Sequence, residues 1–76
     1  SNPTLPAELR NVTHAQVKIA ELCTVGAHSV IMPGSNLRTG TSYGSLSFIS
    51  GDFPEWSLYA GTPARKIGER ERPPWF

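Results

Sequence analysis

Large apolar residues recur at every sixth position through the middle of this sequence. Steps of six from Ile19 reach five more residues of the same kind, Val25, Ile31, Leu37, Tyr43 and Ile49. A second series, which begins at Cys23, contains only small residues, namely Ser29, Ser35, Thr41 and Ser47. The segment is therefore a run of hexads, each with a large apolar residue first and a small residue fifth.

This six-residue period matches neither the period of about 3.6 of a helix nor the two-residue alternation of a plain strand. It predicts a triangular coil in which each hexad supplies one short strand and one corner, with the large residue inside and the small one at the bend. Three hexads then close one coil, so residues eighteen positions apart stack. The predicted stacked pairs are Ile19 on Leu37, Val25 on Tyr43, and Ile31 on Ile49. The alternative is an ordinary small β domain with a chance spacing.

Length and composition predict that the folded unit needs additional support. A domain of 76 residues buries too little surface to be very stable by itself. Cys23 is the only cysteine, so an internal disulfide is excluded, and the two histidines and one cysteine lack the spacing of a zinc site. We therefore expect no metal, and we expect association with other subunits.

Charge and hydropathy argue against two classes of partner. A net charge of +1 with 17% charged residues is unlike the dense basic patch of a nucleic-acid-binding surface. No apolar run approaches the roughly 20 residues of a membrane span, and no signal-peptide pattern is present. These observations predict a cytoplasmic protein that binds neither nucleic acid nor a membrane.

Three sequence motifs resemble a known family. They are Val-Gly-Ala-His-Ser-Val-Ile-Met-Pro-Gly (25–34), Tyr-Gly-Ser-Leu-Ser-Phe-Ile-Ser-Gly-Asp-Phe-Pro (43–54) and Tyr-Ala-Gly-Thr-Pro-Ala-Arg-Lys-Ile (59–67). In this order they resemble the C-terminal region of hexapeptide-repeat acyltransferases, which include galactoside, xenobiotic and surface-polysaccharide O-acetyltransferases. The likeness covers about 17–70 and is greatest to the sugar O-acetyltransferases of polysaccharide biosynthesis.

The resemblance implies an all-β fold, a left-handed parallel β-helix of about two coils over residues 17–52, assembled as a homotrimer. Residues 1–16 would form an N-terminal extension or cap. Residues 53–76 would form a C-terminal capping loop, a short helix and a tail. Thr62 and Pro63 match an N-cap and a first helical residue, so the helix is predicted over 63–70.

The resemblance also implies that acetyl-CoA, as acyl donor, binds in a groove between subunits, with its pantetheine arm along the edge of the coil. Ala27 and Ser45 match the small corner residues that such an arm needs, and Ser50 matches a position where many members carry threonine. Arg65 matches the basic residue of the closing motif, whose guanidinium can bind a phosphate in a bidentate manner. The alternatives are that Ala27 and Ser45 are merely small corner residues and that Arg65 is a solvated surface charge.

The catalytic residue is not identified. Acyl transfer to a hydroxyl or amine needs a base with a pKa near neutrality, usually histidine. In the family that histidine lies in an earlier coil, and neither His14 nor His28 has its position. Two functions therefore compete: an acetyl-CoA-dependent acyltransferase acting on a sugar, and a non-catalytic trimeric β-helix or truncated relic. A metal-dependent hydratase resembling γ-type carbonic anhydrase would need three zinc-binding histidines, and only two histidines are present.

Overall fold

The computed structural model describes residues 15–76, which form nine short strands and, within that range, no helix. The strands are β1 (Lys18–Ile19), β2 (Thr24–Val25), β3 (Val30–Ile31), β4 (Asn36–Leu37), β5 (Ser42–Tyr43), β6 (Phe48–Ile49), β7 (Asp52–Phe53), β8 (Ser57–Ala60) and β9 (Arg65–Glu69). Among residues 15–76 there is accordingly no helix long and apolar enough to span a membrane.

The strands form three sheets that the chain visits in turn. The first sheet has the order β1-β4-β7, the second β2-β5-β8-β9 and the third β3-β6. Neighbouring strands from β1 to β8 are parallel, and the partners in the first two coils lie eighteen residues apart. The register pairs Ile19 with Leu37, Val25 with Tyr43, and Ile31 with Ile49. The predicted stacking is confirmed, and the alternative of a chance spacing is wrong.

The last coil is shorter than the others. Leu37 pairs with Phe53 and Tyr43 with Tyr59, so these partners lie sixteen residues apart. Parallel stacking thus continues as far as Ala60, beyond the range 17–52 predicted for the coils. Residues 1–14 of the predicted N-terminal extension lie outside the described part of the chain.

The core is a column of large apolar residues stacked inside the coil. The buried apolar residues are Leu37, Tyr43, Ile49, Phe53 and Tyr59. The rings of Tyr43, Phe53 and Tyr59 pack with centroids 4.9–5.3 Å apart. Burial raises the pKa of Tyr43 to about 12, because the interior disfavours the phenolate. The core thus lies in the second and third coils, where each apolar residue has a neighbour above or below.

Three of the small fifth residues are buried at the bends, namely Ser35, Thr41 and Ser47, and their hydroxyls have a structural role. Each of three hydroxyls donates to the carbonyl oxygen three positions earlier: Ser35 to Met32 at 2.7 Å, Thr41 to Arg38 at 2.9 Å, and Ser47 to Gly44 at 2.7 Å. A buried carbonyl without a partner is costly. The hydroxyl therefore satisfies the backbone at the place where the chain turns inward.

The predicted helix over 63–70 is wrong, because this segment contains strand β9. Residues 61–64 form a turn with a cis peptide bond between Thr62 and Pro63. The chain then runs antiparallel to β8, with Ala60 opposite Arg65 and Ser57 opposite Glu69. The free edge of β8 offers a ladder of hydrogen bonds. An isolated helix of this length is marginal in water, so pairing with the edge is the more stable arrangement.

The corners share one backbone conformation. We number them by the sheet that they follow: the first corner (20–23, 38–41 and 54–56), the second corner (26–29, 44–47 and 60–62) and the third corner (32–35 and 50–51). In the first two coils each corner contains one residue with positive φ. These residues are Leu22, His28, Gly34, Gly40, Leu46 and Gly51. This conformation lets the N–H group of the residue point along the coil axis. The N–H of Gly40 donates to the Glu21 carbonyl at 3.0 Å, and the N–H of Leu46 donates to the Ala27 carbonyl at 3.0 Å.

Arg70 ties the three coils together at the first corner. Its guanidinium donates to the carbonyl oxygens of Leu22 at 2.7 Å and Gly40 at 2.9 Å. It also lies over the indole of Trp56, 5.8 Å from the ring centroid. Trp56 itself packs on Gly40, where an added Cβ would lie 2.2 Å from the ring. Residues far apart in sequence are therefore joined by one side chain.

Replacing Arg70 with alanine is expected to lower the free energy of unfolding by about 1–3 kcal/mol, because two charge-assisted hydrogen bonds and a cation–π contact are lost. Urea denaturation followed by tryptophan fluorescence measures the change. Arg72→Ala is the matched control, since among the described residues the Arg72 guanidinium bonds only the carbonyl of Phe76. Equal urea midpoints for the two variants would contradict the role assigned to Arg70.

Candidate functional site

One side of the second corner is an open column of small residues, Gly26, Ala27, Gly44 and Ser45. Its coils stack through backbone bonds from Gly26 to the Tyr43 carbonyl at 2.8 Å and from Gly44 to the Tyr59 carbonyl at 2.9 Å. This stacking places Ala27 over Ser45, and both residues are exposed. Within residues 15–76 neither the N–H group of Ala27 nor that of Ser45 donates a hydrogen bond. The column therefore presents free backbone donors to an incoming ligand.

Glycine is needed where the coils approach most closely. A Cβ at Gly26 would lie 2.4 Å from the backbone nitrogen of Ser45, and a Cβ at Gly44 would lie 3.3 Å from the Cβ of Ala60. The first distance is far inside van der Waals contact with rigid backbone. Gly26 thus sets the spacing between the first and second coils, and with it the positions of Ala27 and Ser45.

The two sheets that flank the second corner present different outer surfaces. On the second sheet the hydroxyls of Thr24 and Ser42 are hydrogen-bonded at 2.6 Å. On the third sheet Val30 pairs with Phe48, and Val30 is 52% exposed. The column therefore has a polar side and an apolar side, and its strands and turns are uncharged over residues 24–27 and 42–48.

A cation lies at the end of this column. Arg65 is exposed and pairs with Ala60 in the β8–β9 ladder. Ala60 in turn lies directly below Gly44. The neighbouring Lys66 is held by Glu69 at 2.7 Å, whereas Arg65 forms no ion pair with any other described residue. Its guanidinium is thus available to an anion.

The structure places three of the four predicted cofactor-binding residues, Ala27, Ser45 and Arg65, along the same edge. Ser50 lies elsewhere, at the third corner, on the far side of the third sheet. There the adjacent Gly51 donates to the Ser35 hydroxyl at 3.4 Å and accepts from the Asn36 N–H at 2.8 Å. Ser50 and Ser45 therefore border the same sheet from opposite sides.

The described histidine lies at one end of the column. His28 is exposed in the second corner with φ of 61°, at the end of the column away from Arg65. His14 lies outside the described residues. Within residues 15–76 no group of three or more histidine, cysteine, aspartate or glutamate side chains is arranged to hold a metal ion.

A separate cleft of about 390 Å³ lies beside the first sheet, lined by Arg38, Asp52, Pro54 and Glu55. Arg38 binds Asp52 through two parallel bonds, Nε–Oδ1 and Nη2–Oδ2, both 2.7 Å long. These hydrogen bonds lower the pKa of Asp52 and raise the pKa of Arg38. Because Arg38 is already paired with Asp52, the cleft offers less to an anionic ligand than Arg65, which forms no ion pair within residues 15–76. The sequence gives little sign of this pair, since its members lie fourteen residues apart.

Comparison with known sequences identifies relatives of one kind. No protein-family model matches the chain. It is 32% identical over 72 residues to dTDP-4-amino-4,6-dideoxy-D-glucose acyltransferase of Escherichia coli, covering 95% of this chain and 38% of that protein. It is 30% identical over 67 residues to the putative lipopolysaccharide biosynthesis O-acetyl transferase WbbJ of E. coli K12, covering 88% of this chain and 34% of that protein.

Known structures agree with these relatives. A variant of AntD, an N-acyltransferase from Bacillus cereus, in complex with dTDP-4-amino-4,6-dideoxyglucose and coenzyme A, matches with a TM-score of 0.83 at 33% identity, over 95% of this chain and 39% of that chain. AntD in complex with dTDP and 3-hydroxybutyryl-CoA matches with a TM-score of 0.76 at 36% identity, over 93% and 38%. The chain is thus a relative of acyltransferases. More particularly, its relatives are sugar acyltransferases, and the resemblance drawn from the three motifs is confirmed.

Replacing Gly26 with alanine is expected to destabilise the fold strongly, by about 2–4 kcal/mol, because the methyl group meets the backbone of Ser45. Gly44→Ala is the matched control and is expected to cost less, since its methyl group meets only the Cβ of Ala60. Thermal unfolding by circular dichroism compares the two variants. A loss of stability in Gly44→Ala as large as that in Gly26→Ala would show that the close approach at Gly26 is unimportant.

Proposed function

We propose that this chain is the acyl-CoA-binding part of a sugar acyltransferase, which transfers an acyl group from acyl-CoA to a hydroxyl or amine of a sugar. The observation that carries the proposal is the uncharged column at the second corner. Within residues 15–76 its N–H groups at Ala27 and Ser45 donate no hydrogen bond, and Arg65 at its end forms no ion pair. The relatives support it, since all are named as acyltransferases and AntD binds coenzyme A and 3-hydroxybutyryl-CoA. The non-catalytic alternative has no comparable support.

The charge distribution of the column suits coenzyme A. The pantetheine arm is neutral and carries two amide groups, whereas the nucleotide end carries phosphates. The N–H groups of Ala27 and Ser45 would bind the arm, and Arg65 would bind a phosphate through charge-assisted hydrogen bonds. The acyl end would then point toward Ala27 and His28. We propose an acetyl group as the donor's acyl group. Ser50 lies at the third corner, away from the column of Ala27 and Ser45, so its contact with the cofactor stays a prediction.

The acceptor and the catalytic base belong to the whole enzyme. The chain spans 38% and 34% of its two curated relatives, so the base and most of the acceptor site would lie in the remainder. AntD binds a dTDP-linked aminodideoxy sugar, which supports a nucleotide-linked sugar as the acceptor class. We propose a cytoplasmic enzyme, because nucleotide-linked sugars and acyl-CoA are both available there.

A left-handed coil and a homotrimer complete the proposal. Exposed apolar side chains on and beside the third sheet support association, notably Val30 at 52% and Leu46 at 68% exposure. A neighbouring subunit would cover part of this surface and form the second wall of the groove. Subunit contacts would also supply stability that a unit of this size lacks.

Arg65→Ala is expected to weaken binding of coenzyme A about 10–100-fold, because charge-assisted bonds to a phosphate are lost. Isothermal titration calorimetry measures the dissociation constant. Lys66→Ala is the matched control, since Lys66 is already paired with Glu69, and it should change the dissociation constant little. If calorimetry of the wild-type chain with millimolar coenzyme A shows no heat of binding, the proposed function is wrong. Equal effects of the two substitutions on the dissociation constant would contradict a specific role for Arg65.

The wild-type chain is expected to sediment as a trimer, at three times the 8.3 kDa of one chain. Analytical ultracentrifugation over a range of concentrations measures the mass. Coenzyme A should shift the equilibrium toward the trimer if it binds between subunits, by mass action. A monomer that binds coenzyme A with unchanged mass would contradict the groove between subunits.

A further inference from the structure

The cleft beside the first sheet has no part in the proposed function. Its volume of about 390 Å³ is typical of a small-molecule site, and it is lined by Arg38, Asp52, Pro54 and Glu55. These residues belong to the first sheet and the first corner, whereas the column of small residues lies at the second corner. The cleft and the column therefore share no residue, and their ligands can be tested separately.

The shortened last coil brings the cleft residues together on anchored backbone. Asp52 lies only sixteen residues beyond its strand partner, and its carboxylate binds the guanidinium of Arg38. The Arg38 carbonyl accepts from the Thr41 hydroxyl at 2.9 Å. The Pro54 carbonyl accepts from the hydroxyl of the buried Tyr59 at 3.1 Å. Both sides of the cleft are thus held by bonds to the interior of the coil.

The ion pair in the cleft orients polar groups and adds little to stability. Both side chains are about half exposed, and exposed ion pairs contribute little to folding. The two parallel bonds from Nε and Nη2 of Arg38 fix the guanidinium and the Asp52 carboxylate edge to edge. Within residues 15–76 Nη1 of Arg38 donates no hydrogen bond, and a carboxylate oxygen can accept more than one. The pair therefore offers a ligand both a donor and acceptors.

Glu55 sets the net charge of the cleft. Asp52 is the main cause of the raised pKa of Arg38, and the charge of Glu55 adds to it, so the Glu55 carboxylate lies near the same guanidinium. Within residues 15–76 Glu55 forms no ion pair. One cation and two carboxylates thus line the cleft, which gives these side chains a net charge of −1. This charge disfavours phosphates and other anions.

We propose that the cleft binds a neutral sugar unit. Each hydroxyl of a sugar ring both donates and accepts, so neighbouring hydroxyls can donate to the carboxylates of Asp52 and Glu55 and accept from Nη1 of Arg38. The exposed ring of Pro54 offers an apolar surface to the C–H groups of the sugar. This inference goes beyond the proposed function, because the cleft lies outside the column that would bind acyl-CoA.

An NMR titration of the isotope-labelled wild-type chain with D-glucose tests the proposal. The Nε–H signal of Arg38 and the backbone amides of Asp52 and Glu55 should shift together, with a dissociation constant in the millimolar range. Glucose 1-phosphate should bind more weakly because of the negative cleft, and Glu55→Gln should reduce this difference. Methyl α-D-glucopyranoside identifies the source: affinity equal to that of glucose indicates a unit within a saccharide chain, and binding of glucose alone indicates a free monosaccharide.

Two substitutions test the cleft itself. Arg38→Ala and Glu55→Ala are each expected to weaken glucose binding about tenfold, because a hydrogen bond to a charged group is lost. Both residues are exposed, so the variants should fold, and thermal unfolding by circular dichroism checks this. Glu71→Ala is the matched control, since Glu71 is an exposed carboxylate outside the cleft, and it should leave the affinity unchanged.

Three results would overturn the assignment. Unshifted cleft signals at the highest soluble concentration of both neutral sugars would show that the cleft binds no sugar. Tighter binding of glucose 1-phosphate than of glucose would show an anion site. An equal loss of affinity in Glu71→Ala would show that the effect is not specific to the cleft. The proposed function fails on a different result, the absence of coenzyme A binding, so the two can be distinguished.

Discussion

The hydrogen bond from each corner to the coil above is the constraint on which the rest of the molecule depends. Most strands are two residues long, so the sheets supply few ladder bonds per coil. The corners must therefore contribute hydrogen bonds of their own. The N–H of Gly40 donates to the Glu21 carbonyl, and the N–H of Leu46 donates to the Ala27 carbonyl. Within the described part of the chain, the residues that donate these bonds to a carbonyl of the coil above, among them Gly34, Gly40 and Leu46, have positive φ. The six-residue period follows from this geometry, because strand and corner together must repeat before the next bond can form.

The stacking could be predicted because every hexad repeats the same physical requirement. Large residues at Ile19 and Leu37 and small ones at Cys23 and Thr41 reinforce a single register. The prediction failed where the repeat ends. Thr62 and Pro63 satisfy the local rules for a helix start, but the edge of β8 is created by distant residues and decides the conformation. Local sequence carries no signal for such an edge.

The repeat predicted part of the candidate site, and the part that lies outside the repeat could not be predicted. Ala27 and Ser45 follow glycines at equivalent hexad positions, so their common corner could be inferred from spacing. That Arg65 lies beside this corner depends on the antiparallel pairing of β9, which the sequence did not indicate. The Arg38–Asp52 pair depends on the shortened last coil, since an eighteen-residue step would have placed a different residue opposite Asn36.

The two corners that flank the second sheet show how one backbone geometry serves two purposes. At the first corner, Trp56 and Arg70 cover the turns and bind the coils to each other. At the second corner, the small residues Ala27 and Ser45 leave the backbone open, and within residues 15–76 their N–H groups donate no hydrogen bond. Because both corners share the same coil-to-coil bonds, the difference lies in the side chains alone. A ligand that follows the coil axis can therefore approach the backbone more closely at the second corner than at the first.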